Sequence, residues 1–87
     1  MKLFKTIDER FEEIGFKKVK DDQYAVTYER YNEEFKYTHV INILHKASGH
    51  HIVQSYDKES IDTQVGVTYY EMKLACKKMK QKGWKSK

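Results

Sequence analysis

Between residues 16 and 56 the apolar and aromatic residues tend to alternate, in stretches broken by turn-forming sequence roughly every 8–12 residues. This rhythm indicates an antiparallel meander. "FKKVK" (16–20) suits an edge strand whose lysines blunt an exposed edge. "YAVTYERY" (24–31) alternates, with Tyr24, Val26 and Tyr28 on one side. "FKYTHVINILHK" (35–46) is the longest strand candidate and is rich in β-branched and aromatic residues. "HHIVQSY" (50–56) follows the turn "ASG". Pairing Val26 with Ile41 and Tyr24 with Ile43 leaves Glu33–Glu34 as a two-residue loop. Pairing Ile43 with Ile52 sets His45 opposite His50. The face expected to be covered then holds Tyr24, Val26, Tyr28, Tyr37, His39, Ile41, Ile43, Ile52 and Tyr56. The other face holds Val40, Leu44 and Val53 among polar residues, and a slip of one residue would exchange the two faces.

Helical patterning brackets the meander. In "LFKTIDERFEEI" (3–14), Leu3, Phe4, Ile7, Phe11 and Ile14 share one arc, and Gly15 follows where a left-handed cap is wanted. Residues 57–66, "DKESIDTQVG", read as a surface loop. Thr68 and Glu71 then form an S/T-x-x-E capping box, flanked by Val67 and Met72 as a hydrophobic staple. A helix over about 69–82 is expected, ending at Gly83, with Tyr69, Met72, Ala75, Cys76 and Met79 turned inward. The fold class is α+β: a two-layer domain with a three- to four-stranded antiparallel meander and its N- and C-terminal helices on one face. The 87 residues form a single domain, with 84–87 a frayed basic tail.

The single cysteine, Cys76, excludes an internal disulfide and fits a reducing, cytoplasmic setting. No apolar run approaches the roughly 20 residues of a membrane span, and the N-terminus does not read as a signal peptide. The net charge of +4 hides an asymmetry. Residues 72–87 carry seven lysines and no acid, leaving 10 basic and 13 acidic groups on the other 71 residues. A mildly acidic body thus bears a strongly basic end, a pattern of interacting tails.

Three classes of chemistry can be weighed against that map. Lys73, Lys77 and Lys80 line up on the second helix, beside Tyr70 and Leu74, as a phosphate-binding stripe would. Lysines at a helix C-terminus also complement the macrodipole and keep an exposed face soluble. Arginine, the better reader of phosphate, is confined to Arg10 and Arg30. Of the histidines, His45 and His50 offer two ligands where a zinc site takes three or four, so no metal and no cofactor is expected. A cross-strand His pair would weaken that hairpin below about pH 6. Cys76, on the expected core arc, reads as an apolar filler rather than a nucleophile. No catalytic residue is assigned.

The order helix–strands–helix is similar to that of double-stranded-RNA-binding domains. That family places lysines at the start of its second helix, where "TYYEM" stands here, so the likeness is one of topology. More broadly, "IDERFEEIGFKKV", "YERYNEEFKYTHVINILHKASGHHIVQSY" and "VGVTYYEMKLACKKMKQKGW" resemble small uncharacterised proteins encoded by prophages of low-GC Gram-positive bacteria. The resemblance implies an accessory protein of a mobile element that acts by binding. The resulting expectation is a non-enzymatic module, monomer or weak dimer, that contacts a protein partner through Tyr70, Leu74 and Trp84. The alternative is nucleic-acid binding through Lys73, Lys77 and Lys80.

Overall fold

The computed structural model describes residues 5–46 and 51–84. Helix α1 (Ile7–Glu13) precedes strands β1 (Lys17–Asp21), β2 (Ala25–Asn32), β3 (Tyr37–His45), β4 (His51–Asp57) and β5 (Ser60–Gln64), and helix α2 (Tyr69–Gln81) closes the chain. The strands form one antiparallel sheet in the order β1-β2-β3-β4-β5. The expected α+β arrangement is present, with a fifth strand drawn from the segment expected to be loop. β5 is exposed along its whole length, so backbone pairing to β4 holds it rather than buried side chains.

Both helices use the same local grammar. Thr6 accepts from the Glu9 N–H while Glu9 reaches back to Thr6, and Thr68 and Glu71 repeat the arrangement on α2. Each helix ends in a left-handed glycine, Gly15 at φ 93° and Gly83 at φ 77°. The residue after each closes the last turn: Phe16 N–H donates to Phe11 O and Trp84 N–H to Met79 O. Helix α1 is therefore shorter than its apolar periodicity suggested. It starts after Thr6, and Leu3 and Phe4 lie outside the described residues.

Phe11 from α1 and Leu74 and Ala75 from α2 join Phe16, Val26, Tyr28, Ile41 and Ile43 in one buried cluster. Both helices thus cover the same sheet face. Phe11 stacks on Tyr28 with ring centroids 3.9 Å apart. The expected β2 and β3 face is the covered one, but the pairing is shifted by two: Val26 faces Ile43 and Tyr28 faces Ile41. A shift of two preserves the face. The β2–β3 connection accordingly spans Glu33–Lys36, with Asn32 Oδ1 accepting from Phe35 N–H and Lys36 at φ 55°.

β4 is shifted by one, which exchanges its faces. Val53 pairs with Ile43 and packs on the core, while Ile52 pairs with Leu44 and is 37% exposed on the open side. Tyr24, also expected inside, is exposed. On the uncovered face Val40, flanked in register by Glu29 and Tyr56, is nevertheless buried. No helix among the described residues is long and apolar enough to cross a membrane.

Candidate functional site

The orientation of α2 decides which side chains it offers to a partner. Its buried residues are Glu71, Leu74, Ala75 and Lys78. The expected inward arc of Tyr69, Met72, Ala75, Cys76 and Met79 is displaced by roughly a quarter to a third of a turn at 100° per residue. Tyr69 is 82% exposed and Cys76 is an exposed free thiol. Met79 still packs against the core edge.

Two buried ionic contacts account for the rotation. Lys78 Nζ lies 3.1 Å from Asp8 Oδ1 and 2.8 Å from Gln81 Oε1. Glu71 Oε2 lies 3.2 Å from Arg30 Nη2, and its carboxylate also caps Thr68 N–H at 2.9 Å. Glu71 finds its charge partner on β2 and Lys78 finds its partner on α1, so burying the two side chains is compensated. A period count that scores Lys and Glu as polar assigns them to the outside.

Asp8 is the hub of the first contact. It accepts from Tyr28 OH at 2.6 Å and Lys18 Nζ at 2.8 Å as well as from Lys78. Burial alone would raise its pKa. The hydrogen bonds from Lys18, Tyr28 and Lys78, with the Lys78 charge, outweigh burial and hold the carboxyl at about 2. Burial, followed by the hydrogen bond to Asp8, raises the Tyr28 phenol. Lys18 and Lys82 both bind Asp21 and lower its pKa by hydrogen bonding. Lys78 and Lys82 of the basic end are thereby consumed internally.

Around the second contact Arg30 donates to Ile14 O at 3.0 Å and lies 4.3 Å over the Phe16 ring. Its Nη2 also lies 3.4 Å from His39 Nδ1, and His39 Nε2 is hydrogen-bonded to Ser55 Oγ. A histidine beside a serine invites comparison with a nucleophile and its base. Arginine can only donate, so His39 Nδ1 accepts and Nε2 carries the proton toward Ser55. A base for Ser55 needs the opposite tautomer. Burial lowers the His39 pKa and keeps the ring neutral. This arrangement is a structural tie between β2, β3 and β4.

With α2 so placed, Tyr69, Tyr70, Lys73, Cys76, Lys77 and Lys80 share its solvent side, and all six are exposed. Lys73, Lys77 and Lys80 make no ion pair among the described residues. The structure therefore brings the three expected lysines together with Tyr70, and adds Tyr69. It separates the other two expected contact residues from them. Leu74, expected on the outward side, is 1% exposed in the core. Trp84, expected in a frayed tail, is held by its N–H to Met79 and stacks on His45 at 5.0 Å. The cross-strand histidine pair is His45 with His51, and His50 lies outside the described residues. Among the described residues no group of three or more His, Cys, Asp or Glu side chains is placed to hold a metal ion. No protein-family model, curated protein or solved structure matches the chain.

Proposed function

We propose that the chain is a non-enzymatic binding module whose working surface is the solvent side of α2, and that it takes single-stranded nucleic acid. The observation that carries this reading is the interleaving of Tyr69 and Tyr70 with Lys73, Lys77 and Lys80 on one exposed helix face. Lys73 and Lys80 are separated by about 10 Å along the axis, given 1.5 Å per residue. Three unpaired ammonium groups over that length match a short run of phosphates, and two exposed phenol rings supply stacking platforms for bases. The exposed free thiol of Cys76 supports a reducing, cytoplasmic setting for this activity.

A protein partner is the second reading. Tyrosine is favoured at protein contacts, and the exposure of Tyr69 keeps that reading in play. Its earlier basis is narrower now, because Leu74 and Trp84 are taken up within the fold. A salt titration of oligonucleotide binding separates the two. Three released counterions give a slope of log K against log[salt] of about −2 for a single strand. Replacing Lys73, Lys77 and Lys80 together by Gln should abolish that slope and leave the melting temperature unchanged. Absence of binding at low salt, or a slope unaltered by the triple replacement, would remove the nucleic-acid reading.

A further inference from the structure

Strand β3 ends on His45 and β4 begins on His51, and the two are cross-strand partners. Their Nδ1 atoms lie 3.3 Å apart and their ring centroids 5.1 Å apart. Trp84 lies nearly parallel to His45, with centroids 5.0 Å apart and planes at 14°, and its centroid is 6.2 Å from that of His51. The left-handed Gly83 and the Trp84 N–H bond to Met79 O fix the indole there. The two imidazoles are thus positioned by the sheet register on one side and by the end of α2 on the other.

Two ring nitrogens this close share either a proton or a metal ion. Two imidazoles on one tetrahedral zinc, with bonds of about 2.0–2.1 Å, hold their nitrogens about 3.3–3.4 Å apart. With each ring centre about 1.1–1.2 Å behind its nitrogen, the centroids in such a chelate fall about 5.2 Å apart. A straight N–H···N bond of the same nitrogen separation would put the centroids about 5.6 Å apart on the same ring dimensions. The observed nitrogen and centroid distances suit the chelate, and a bent N–H···N bond between rings inclined at 25° holds the two nitrogens at the same spacing without metal.

We propose that His45 and His51 form a site for one divalent transition-metal ion, bound through the Nδ1 of each ring with solvent completing the coordination. Imidazole ligands suit copper and zinc, and copper binds the tighter of the two. Lys82 sits 5.8 Å from the Trp84 ring and is paired with Asp21 at 2.7 Å, so its charge is compensated. The site is separate from the solvent side of α2 and does not depend on what that face binds. Trp84, the chain's single tryptophan, is a built-in reporter.

The test is a titration of Cu²⁺, with Zn²⁺ as competitor, into the full chain carrying Cys76→Ser to remove the exposed thiol. Trp84 fluorescence should be quenched to saturation at one equivalent, restored by chelator and protected by Zn²⁺. His45→Ala and His51→Ala should each weaken binding at least tenfold, while His50→Ala retains it. Because either variant could shift Trp84, calorimetry repeats each titration, and melting without metal checks that each variant is folded. Linear quenching without saturation would overturn the assignment. So would a calorimetric constant unchanged in both variants, or binding lost in His50→Ala and kept in His51→Ala.

Discussion

Lys78 Nζ lies 3.1 Å from Asp8 Oδ1, although 70 residues separate them in the chain. The contact joins the two helices across the core and fixes how α2 is turned. Lys78→Ala leaves Asp8 with Lys18 and Tyr28, so its cost should fall below that of a fully orphaned buried charge, at about 1–3 kcal/mol. Lys78→Met keeps the stem in place and should cost less than Lys78→Ala. Urea denaturation of the two variants beside the parent gives both numbers; equal losses would mean that the buried stem contributes nothing, and an undiminished Lys78→Met would mean the same of the charge.

Asp8 should also make the fold acid-sensitive. Its folded pKa of about 2 lies below the ordinary value of 3.8. A depressed carboxyl contributes stability that is complete above the unfolded pKa and is lost as pH falls through the folded one. The window is therefore about pH 4 down to pH 2, where roughly 1–2 kcal/mol should disappear after allowance for solvent screening of its exposed edge. Asp8→Asn should be less stable at pH 7 and show a flatter curve across that window. Parallel curves for variant and parent would contradict the assignment.

Leu74 is the largest fully buried apolar side chain of α2, lies between the two ionic contacts in sequence, and is 1% exposed. Leu74→Ala should cost about 2–5 kcal/mol, as large-to-small changes in a packed core do. Met72→Ala, at a half-buried site, should cost clearly less. The reverse order would mean that the helix faces the way its apolar periodicity alone suggests.

That contrast marks what the residues disclose unaided. The capping box at Thr68 and Glu71 and the stop at Gly83 are local, so they are legible, and α2 begins and ends as expected. Thr6 and Glu9 carry the same signal, but the apolar residues Leu3 and Phe4 drew the expected start of α1 too far back. Ile52 and Val53 are adjacent and equally apolar, so nothing local settles which of them points inward. "SIDTQ" has little apolar content to mark it as a strand, because β4 supplies its hydrogen bonds. The rotation of α2 was hidden for a different reason. Glu71 and Lys78 are buried only because Arg30 and Asp8 meet them, and those partners lie far away in the chain. The outward lysines were legible as a set, while the loss of Leu74 and Trp84 from the surface followed from that hidden rotation and from the Gly83 turn.

The two left-handed glycines should respond differently to alanine. At Gly83 an added Cβ meets nothing within 4 Å, so only the backbone conformation at φ 77° resists, at about 1 kcal/mol. At Gly15 the same atom would lie 3.1 Å from Arg30 Cδ. Arg30 is tied to Glu71, Ile14 and Phe16 and cannot move away freely. Gly15→Ala should therefore destabilise more than Gly83→Ala in thermal melts, and Gly83→Ala should alter Trp84 fluorescence. Equal costs at the two sites would remove the role given to Arg30.

The rotation of α2 underlies the surface assigned to binding, and Cys76 reports it directly. A native-state thiol titration with a chromogenic disulfide, at neutral pH and without denaturant, measures its access. We expect one thiol per chain to react at close to the rate of a small free thiol. A thiol that stays protected until the protein is unfolded would place Cys76 in the core and contradict the account.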